Sequence, residues 1–439
     1  MDLRINISIA TLLITLILVV LPPVSGQAPP SSFDRDRGRM MLNAIKGDIK
    51  KDYYDPTFRG IDLDARFKVA DEKIKQATSL GQIFGIIAQT LIEFEDSHTY
   101  FLPPSRPFTT EYGWQMQMIG DKAYVVAVKP GSDAEAKGLK EGDEIYSMDG
   151  YAPTRENMWK IQYTYNALRP KPGMRLEVIK PGGQEQQIDV MAKVTQGKRV
   201  IDLTGSDVFD LIREEENESR LHRHRYVELG EDVFIWKMPA FDLQDTKVDD
   251  MVGKFRKRKA LILDLRGNGG GYETTLLRLL GNMVDHDVNV ADLKRRKETK
   301  LITAKTRGNS VFAGKLVVLI DSRSGSAAEL FSRVVQLEKR GTVIGDRSAG
   351  AVMRSKHHGH ELGQDTVIFY GASITDADMI MSDGKSLERV GVVPDETRLP
   401  TKWDLAAKHD PVLAYAASLV GVTIPPEKAG ALFPVEWRK

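Results

Sequence analysis

Residues 323–335 read RSGSAAELFSRVV. Small residues surround Ser326, and an apolar, helix-compatible pattern follows at once. Just before it lies KLVVLID (315–321), a continuous apolar run of the kind that forms a strand buried on both faces. Ser326 is therefore expected where a strand turns into a helix. Gly325, Ala327 and Ala328 leave its hydroxyl open to close approach. The unpaired amides of a first helical turn can also stabilise negative charge. That is a good address for a nucleophile, but serine needs a base, and none stands nearby in sequence. Read alone, the stretch fits a helix N-cap serine better, and Ser324 is a rival for either role.

Working outward, VFIWKM (233–238), ALILDLR (260–266) and GTVIGD (341–346) are strand-like. TTLLRLLGNMV (274–284) and AELFSRVVQLEKR (328–340) are helix-like. This alternation predicts an α/β layer with mostly parallel pairing. No internal repeat is visible. At the end of the second strand stands DLRGNGGG (264–271), with four glycines. A dinucleotide fingerprint would need glycine at 272, where Tyr272 stands, and no Gly-Lys-Ser/Thr follows, so neither nucleotide motif fits. Two readings remain. One is an oxyanion hole that pairs a glycine amide with the amide after a nucleophile. The other is a tight turn that needs positive φ.

The chain has 439 residues, enough for two or three domains. A net charge of +1 offers no basis for bulk nucleic-acid binding or attraction to a membrane surface. With no cysteine, disulfides, thiol catalysis and cysteine-ligated metal are excluded. Arg4 precedes ISIATLLITLILVVL (7–21) and PPVSGQA (22–28), the pattern of a secretory signal peptide cleaved after Gly26. The alternative is an uncleaved N-terminal anchor, although the run is short for a span of about 20 residues. The mature protein is expected to be exported, periplasmic or extracellular, without stable membrane insertion once the signal is removed.

QAPPSS (27–32) reads as a linker, and residues 33–95 read as helices, among them MMLNAIKGDIKKDYY (40–54) and LGQIFGIIAQTLIEF (80–94). YYDPTFRGID (53–62) reads as a loop between them. Pro103 and Pro104 end this helical region, 27–104, just after EDSHTY. Residues 105–195 change to short strands: WQMQMI, KAYVVAVKP, RLEVIKP and QEQQIDVMA. Between them, GSDAEAKGLKEGDEIYSMDG (131–150) resembles the PDZ signature through Gly138-Leu139, Gly142-Asp143 with Ile145, and Asp149-Gly150. Such a domain binds peptides as an added strand. Tyr112, Gly113 and Trp114 are the candidate carboxylate-binding loop. Residues 196–220, with DLIREEENESR, read as a charged connection that forms a solvated helical face.

Three further constellations could carry chemistry. In Asp96-Ser97-His98-Thr99 a histidine follows a helix end and is bracketed by hydroxyls, where it could act as a base or be a satisfied structural residue. Glu388 in LERVGVVPDE (387–396) precedes a glycine turn, and alone it reads as a solvated charge. KHHGH (356–360) invites a metal reading through His357, His358 and His360. Its spacing does not suit helical ligand pairs, so it reads as a polar loop or strand end, and no metal is expected.

Taken together, the GNGGG turn, the GSAAE serine stretch, GDRSAG (345–350) and GVVPDE (391–396) resemble the S41 serine peptidases, which include the C-terminal processing proteases and tricorn. The resemblance covers nearly all of the mature chain. It implies a multi-domain α/β fold whose core, residues 196–439, is built of ββα units as in ClpP and crotonase. A helical N-terminal segment and a PDZ-like β module precede that core. Processing proteases pair the serine with a lysine 25 residues later; here that position is Ala351, and Lys356 would need a shifted turn. The tricorn-like branch instead uses an earlier Ser-His pair and a late glutamate. On that pattern the resemblance implies Ser326 as nucleophile, His98 as base, Ser97 as relay and Glu388 as orienter. Ala327 and Gly269 or Gly270 would supply the oxyanion amides. It further implies peptide or protein substrates, no cofactor and no nucleic acid, and leaves a homo-oligomer open. The alternative is a catalytically inactive S41-like protein that only binds peptides.

Overall fold

The computed structural model describes residues 30–106, 108–196, 221–363 and 367–438. The expected signal segment, and nearly all of the charged connection at 196–220, lie outside the described residues. Among the described residues, no helix is long and apolar enough to cross a membrane.

The chain opens with α1 (Ser32–Asp52), α2 (Leu63–Lys75) and α3 (Leu80–Ile92). Each start has a chemical cause. Ser31 and Asp34 form a reciprocal capping box, and the side chains of Asp62 and Ser79 accept from the first turns of the next two helices. The segment between α1 and α2 is a loop containing one short 3-10 turn. The apolar faces of the three helices, with Leu42, Ile45, Phe67 and Ile87, close over Ala372 and Ile374 from far down the chain. The turn after α3 leads into β1 (Tyr100–Leu102).

A small β module follows: β2 (Phe108–Glu111), β3 (Trp114–Ile119), β4 (Lys122–Val128), α4 (Asp133–Ala136), β5 (Glu144–Met148), α5 (Met158–Tyr163), β6 (Gly173–Ile179), β7 (Glu185–Met191) and β8 (Lys193–Gln196). The sheet runs in the order β3-β4-β5-β6-β7, every pair antiparallel, with β3 at one edge. Gly142 turns at φ 87°, and a Cβ there would stand 2.4 Å from the Lys402 carbonyl oxygen, so only glycine fits. The module docks on the remainder of the chain through polar contacts. Gln117 Nε2 donates to Asp321 (2.8 Å), the Gly120 N–H to Asp346 (2.9 Å), and Arg155 pairs with Asp346 (2.6 Å).

The core comprises β9 (Arg225–Leu229), β10 (Val233–Lys237), α6 (Asp245–Phe255), β11 (Ala260–Asp264), α7 (Glu273–Gly281), β12 (Val288–Lys294), β13 (Thr299–Ala304), β14 (Lys315–Ile320), α8 (Ala327–Leu337), β15 (Thr342–Gly345), β16 (Met353–Leu362), β17 (Ile368–Met381), β18 (Glu396–Thr397), α9 (Lys402–Ala406), α10 (Pro411–Leu419) and α11 (Pro426–Ala431). Its main sheet has the order β18-β15-β14-β11-β10-β9, parallel throughout except for β9. The central strands are buried on both faces, hence their unbroken apolar runs. Leu316, Val318 and Ile320 of β14 meet Phe255, Leu279 and Phe331 on the α6–α8 side. Val317 and Leu319 meet Leu413 and Ala416 of α10 on the other.

A second, antiparallel sheet has the order β1-β17-β12-β13, with β16 also paired to β17. The KHHGH stretch lies within β16, not in a loop or at a strand end. Its alternation explains why polar residues are tolerated there: Lys356, His358 and His360 face the acids Asp48 and Asp52 of α1, with His360 Nε2 2.7 Å from Asp48. Among the described residues, no His, Asp or Glu group has a metal-holding arrangement.

Phe331 is fully buried on α8, with its ring 6.2 Å from that of Phe241. Phe331→Ala should destabilise the core by about 3–5 kcal/mol, read as a lower denaturant midpoint by tryptophan fluorescence. A loss below about 1 kcal/mol would contradict this packing.

Candidate active site

Between β14 and α8 the chain makes a tight turn, and Ser326 is its last residue before the helix. Its backbone stands at φ 52°, ψ −117°, not in the extended region usual for an N-cap. Such a conformation costs a non-glycine residue about 1–3 kcal/mol and persists only where its surroundings impose it. It is the geometry of a strand-to-helix turn that lifts a serine out of the backbone. Ser324, the rival, is fully buried. Its hydroxyl donates to the Leu265 carbonyl (2.8 Å) and accepts from the Asp321 N–H (2.9 Å).

The group that imposes the turn is Glu329, whose role was not anticipated from sequence. Its carboxylate is 0% exposed. One oxygen accepts from Ser348 Oγ (2.6 Å) and the Gly350 N–H (2.7 Å). The other accepts from the N–H groups of Ser326 and Ala351, each at 2.9 Å. Burial pushes the Glu329 carboxyl up to about 7, against the pull of these four donors. The signal in the sequence was the S-x-x-E spacing from Ser326, which ordinarily marks a surface capping box.

On the other side of the site stands the turn after α3. Ser97 Oγ lies 2.7 Å from His98 Nδ1 and donates to Glu388 Oε2 at 2.8 Å; the Ser97 N–H donates to Glu388 Oε1 at 2.7 Å. Since the Ser97 proton goes to the carboxylate, its oxygen accepts from Nδ1–H. That network assigns the tautomer and leaves His98 Nε2 as the basic nitrogen. Desolvation lowers His98 to about 4, Asp96 opposes that shift, and His357 adds to it. Burial raises the Glu388 carboxyl, while its bonds from Ser97 and Val352 act the other way.

The two halves meet at one dipeptide. The Ala351 carbonyl accepts from the Ser326 N–H (2.9 Å), and the Val352 N–H donates to Glu388 Oε2 (2.9 Å). Ser97, His98 and Glu388 thus form a continuous hydrogen-bonded chain, and Ser326 is tied to it through a single peptide unit. Among the described residues, no hydrogen bond joins His98 to Ser326. Lys356 is not part of this site; it pairs with Asp52 of α1.

The glycine turn at 267–271 lies against the serine. A Cβ on Gly270 would stand 2.6 Å from Ser326 Cβ and 3.0 Å from the Ala327 nitrogen. Gly270 does not fit the oxyanion role expected of it. The Gly270 N–H already donates to Asn268 Oδ1 (2.8 Å) and is not available to an oxyanion. The amides of Gly269 and Ala327 donate to no group among the described residues and remain candidates.

In the β module, Tyr112 donates from its hydroxyl to the Lys171 carbonyl (3.0 Å), Gly113 stands at φ 73°, and Trp114 begins the edge strand β3. Trp114 Nε1 is buried and has no hydrogen-bond partner among the described residues. A cavity of about 680 Å³ lies between this module and the ends of β14 and β15; neither Ser326 nor His98 lines it.

Residues 233–398 match a family model described as Peptidase family S41. The chain is 25% identical over 305 residues to the Tail-specific protease of Haemophilus influenzae, covering 66% of this chain and 41% of that protein's length. It is 22% identical over 372 residues to the Carboxy-terminal processing protease CtpA of Bacillus subtilis, covering 82% of this chain and 72% of that one. Its fold is similar to that in the crystal structure of mature CPAF, with a TM-score of 0.63 at 15% identity, over 85% of this chain and 95% of that chain. Residues 233–398, with the Ser326 turn inside them, are therefore the part of this chain that is similar to peptidase family S41.

Proposed function

We propose that the chain is an exported serine-type peptidase that hydrolyses peptide bonds through an acyl-enzyme on Ser326. The observation that carries this reading is the Glu388–Ser97–His98 chain held one peptide unit from a strained serine. Ser326 Oγ attacks the substrate carbonyl carbon while His98 Nε2 takes its proton. His98 then returns the proton to the leaving amine as the C–N bond breaks. Water, deprotonated by the same nitrogen, cleaves the acyl ester and restores Ser326. Ser97 fixes the tautomer and couples the imidazolium to Glu388. The amides of Ala327 and Gly269 receive the oxyanion, where the loss of one donor typically costs about 3 kcal/mol. Catalytic hydrogen bonds in unliganded sites often tighten only with substrate present. The open His98–Ser326 pair fits that pattern.

Residues 105–195 serve in this reading as a PDZ domain that takes a peptide or protein substrate as an added strand along the edge strand β3. A second reading is a peptide-binding protein without turnover. Ala351 standing where processing proteases carry lysine favours it, as does the missing His98–Ser326 bond.

Ser326→Ala and His98→Ala should each lower kcat/KM for peptide cleavage at least about a thousandfold, with circular dichroism unchanged. A Ser326→Ala protein that cleaves at the parent rate would overturn the assignment. Ser97→Ala should reduce kcat by about a hundredfold with little change in KM; equal kcat would show that the relay is idle. Because burial lowers His98 to about 4, the base is neutral and competent well below pH 6. The acid limb of kcat/KM should therefore centre near pH 4, since it reports the free enzyme's base. A limb centred near the ordinary histidine value of about 6.5 would contradict the desolvation of His98.

A further inference from the structure

We propose that Asp96 is a positioning residue for His98: its carboxylate fixes the turn that presents the imidazole and supplies negative charge when that ring holds a proton. This inference rests on the reading of His98 as the base.

Asp96 is 4% exposed and has four donors. Its Oδ1 accepts from the N–H groups of His98 (3.1 Å) and Thr99 (2.7 Å) and from Thr375 Oγ1 (2.6 Å). Its Oδ2 accepts from the Tyr53 hydroxyl (2.9 Å). Thr375 also accepts from Thr99 Oγ1 (3.0 Å), so its own proton is free to go to Asp96. Four donors thus converge on this one carboxyl group. Tyr53 follows α1 and Thr375 lies on β17, so three parts of the fold lock one side chain.

The relay itself leaves a need for this charge. His98 reaches Glu388 only through a neutral hydroxyl, so the Glu388 carboxylate stands one side chain away from the imidazolium. The other charged or titratable groups around the turn do not fill the gap. His357 of β16 opposes protonation of His98. Arg59, in the loop after α1, faces Asp96 and Glu388. Arg389 pairs with Glu95 (3.2 Å) at the exposed rim. Asp96 is the group whose charge favours protonated His98.

Asp96→Asn separates charge from shape. The amide oxygen can still accept from the two N–H groups and Thr375, and its NH₂ can donate to the Tyr53 oxygen, whose proton is free to rotate. The measurement is the NMR titration of the His98 ring in the Ser326→Ala background, paired with the pH profile of kcat/KM in active protein. Asp96→Asn should lower the His98 midpoint by about one pH unit and move the acid limb with it. It should also reduce kcat about tenfold with KM unchanged. A purely structural carboxylate would lower thermal stability yet leave the midpoint and the limb where they are, and that result overturns the proposal. Should Asp96→Asn fail to fold, Tyr53→Phe removes one donor and leaves the charge less neutralised. The His98 midpoint should then rise, and an unchanged midpoint would overturn the proposal equally. The titration needs no turnover, so a parent chain that cleaves no peptide sinks the peptidase reading and still leaves the Asp96–His98 coupling decided.

Discussion

Glu329 has no solvent contact, and its two oxygens accept from Ser326, Ser348, Gly350 and Ala351. An isolated buried carboxylate would be strongly destabilising. Four donors, three of them backbone amides, offset that cost and turn the group into a clamp. The clamp holds Ser326 at φ 52° and fixes the 348–351 turn against it. The next amide in that turn, Val352, binds Glu388. The orientation of Ser326, the proposed nucleophile, and the placement of the Glu388 carboxylate thus depend on one buried side chain.

His98, the proposed base, comes from a different part of the chain, and the second sheet is what delivers it. Strand β1 pairs antiparallel with β17, Tyr100 opposite Ser373, which fixes the turn carrying Ser97 and His98 two residues earlier. The N-terminal helices pack on the same strand through Ile374 and Ala372. They also reach β16 through the Asp48 and Asp52 pairs with His360 and Lys356. More than two hundred residues separate His98 from Ser326 in sequence, yet the site needs both the helical region and the core. The β module between them contributes no group to the hydrogen-bonded chain.

The parts of this arrangement that could be read from sequence are those where one physical demand dominates. Strands buried on both faces must be apolar throughout, so 260–266 and 315–321 were legible. The glycine turns of the module were legible because Gly138, Gly142 and Gly150 all stand at positive φ. Ser97, His98 and Glu388 could be named only through family resemblance, since nothing local marks a hydrogen-bonded chain assembled from distant turns. The second sheet was largely missed because β16 carries polar residues on both faces, matched by acids of α1 on one of them. Gly270 looked like an oxyanion donor because a side-chain acceptor two residues earlier, Asn268, is invisible to a glycine pattern. Glu329 and Asp96 were overlooked for a related reason. A carboxylate beside a helix start or a turn is ordinarily a solvated cap, and only the fold shows that these two are buried and fully donated to.

The proposed function stands or falls on Ser326 being an activated nucleophile. Labelling with a fluorophosphonate probe, followed by peptide mass spectrometry, tests it most directly. The account predicts a single adduct on Ser326 that is lost in His98→Ala protein, because the hydroxyl is unreactive without its base. Absence of an adduct in the folded parent, or an adduct on Ser324 instead, would contradict it.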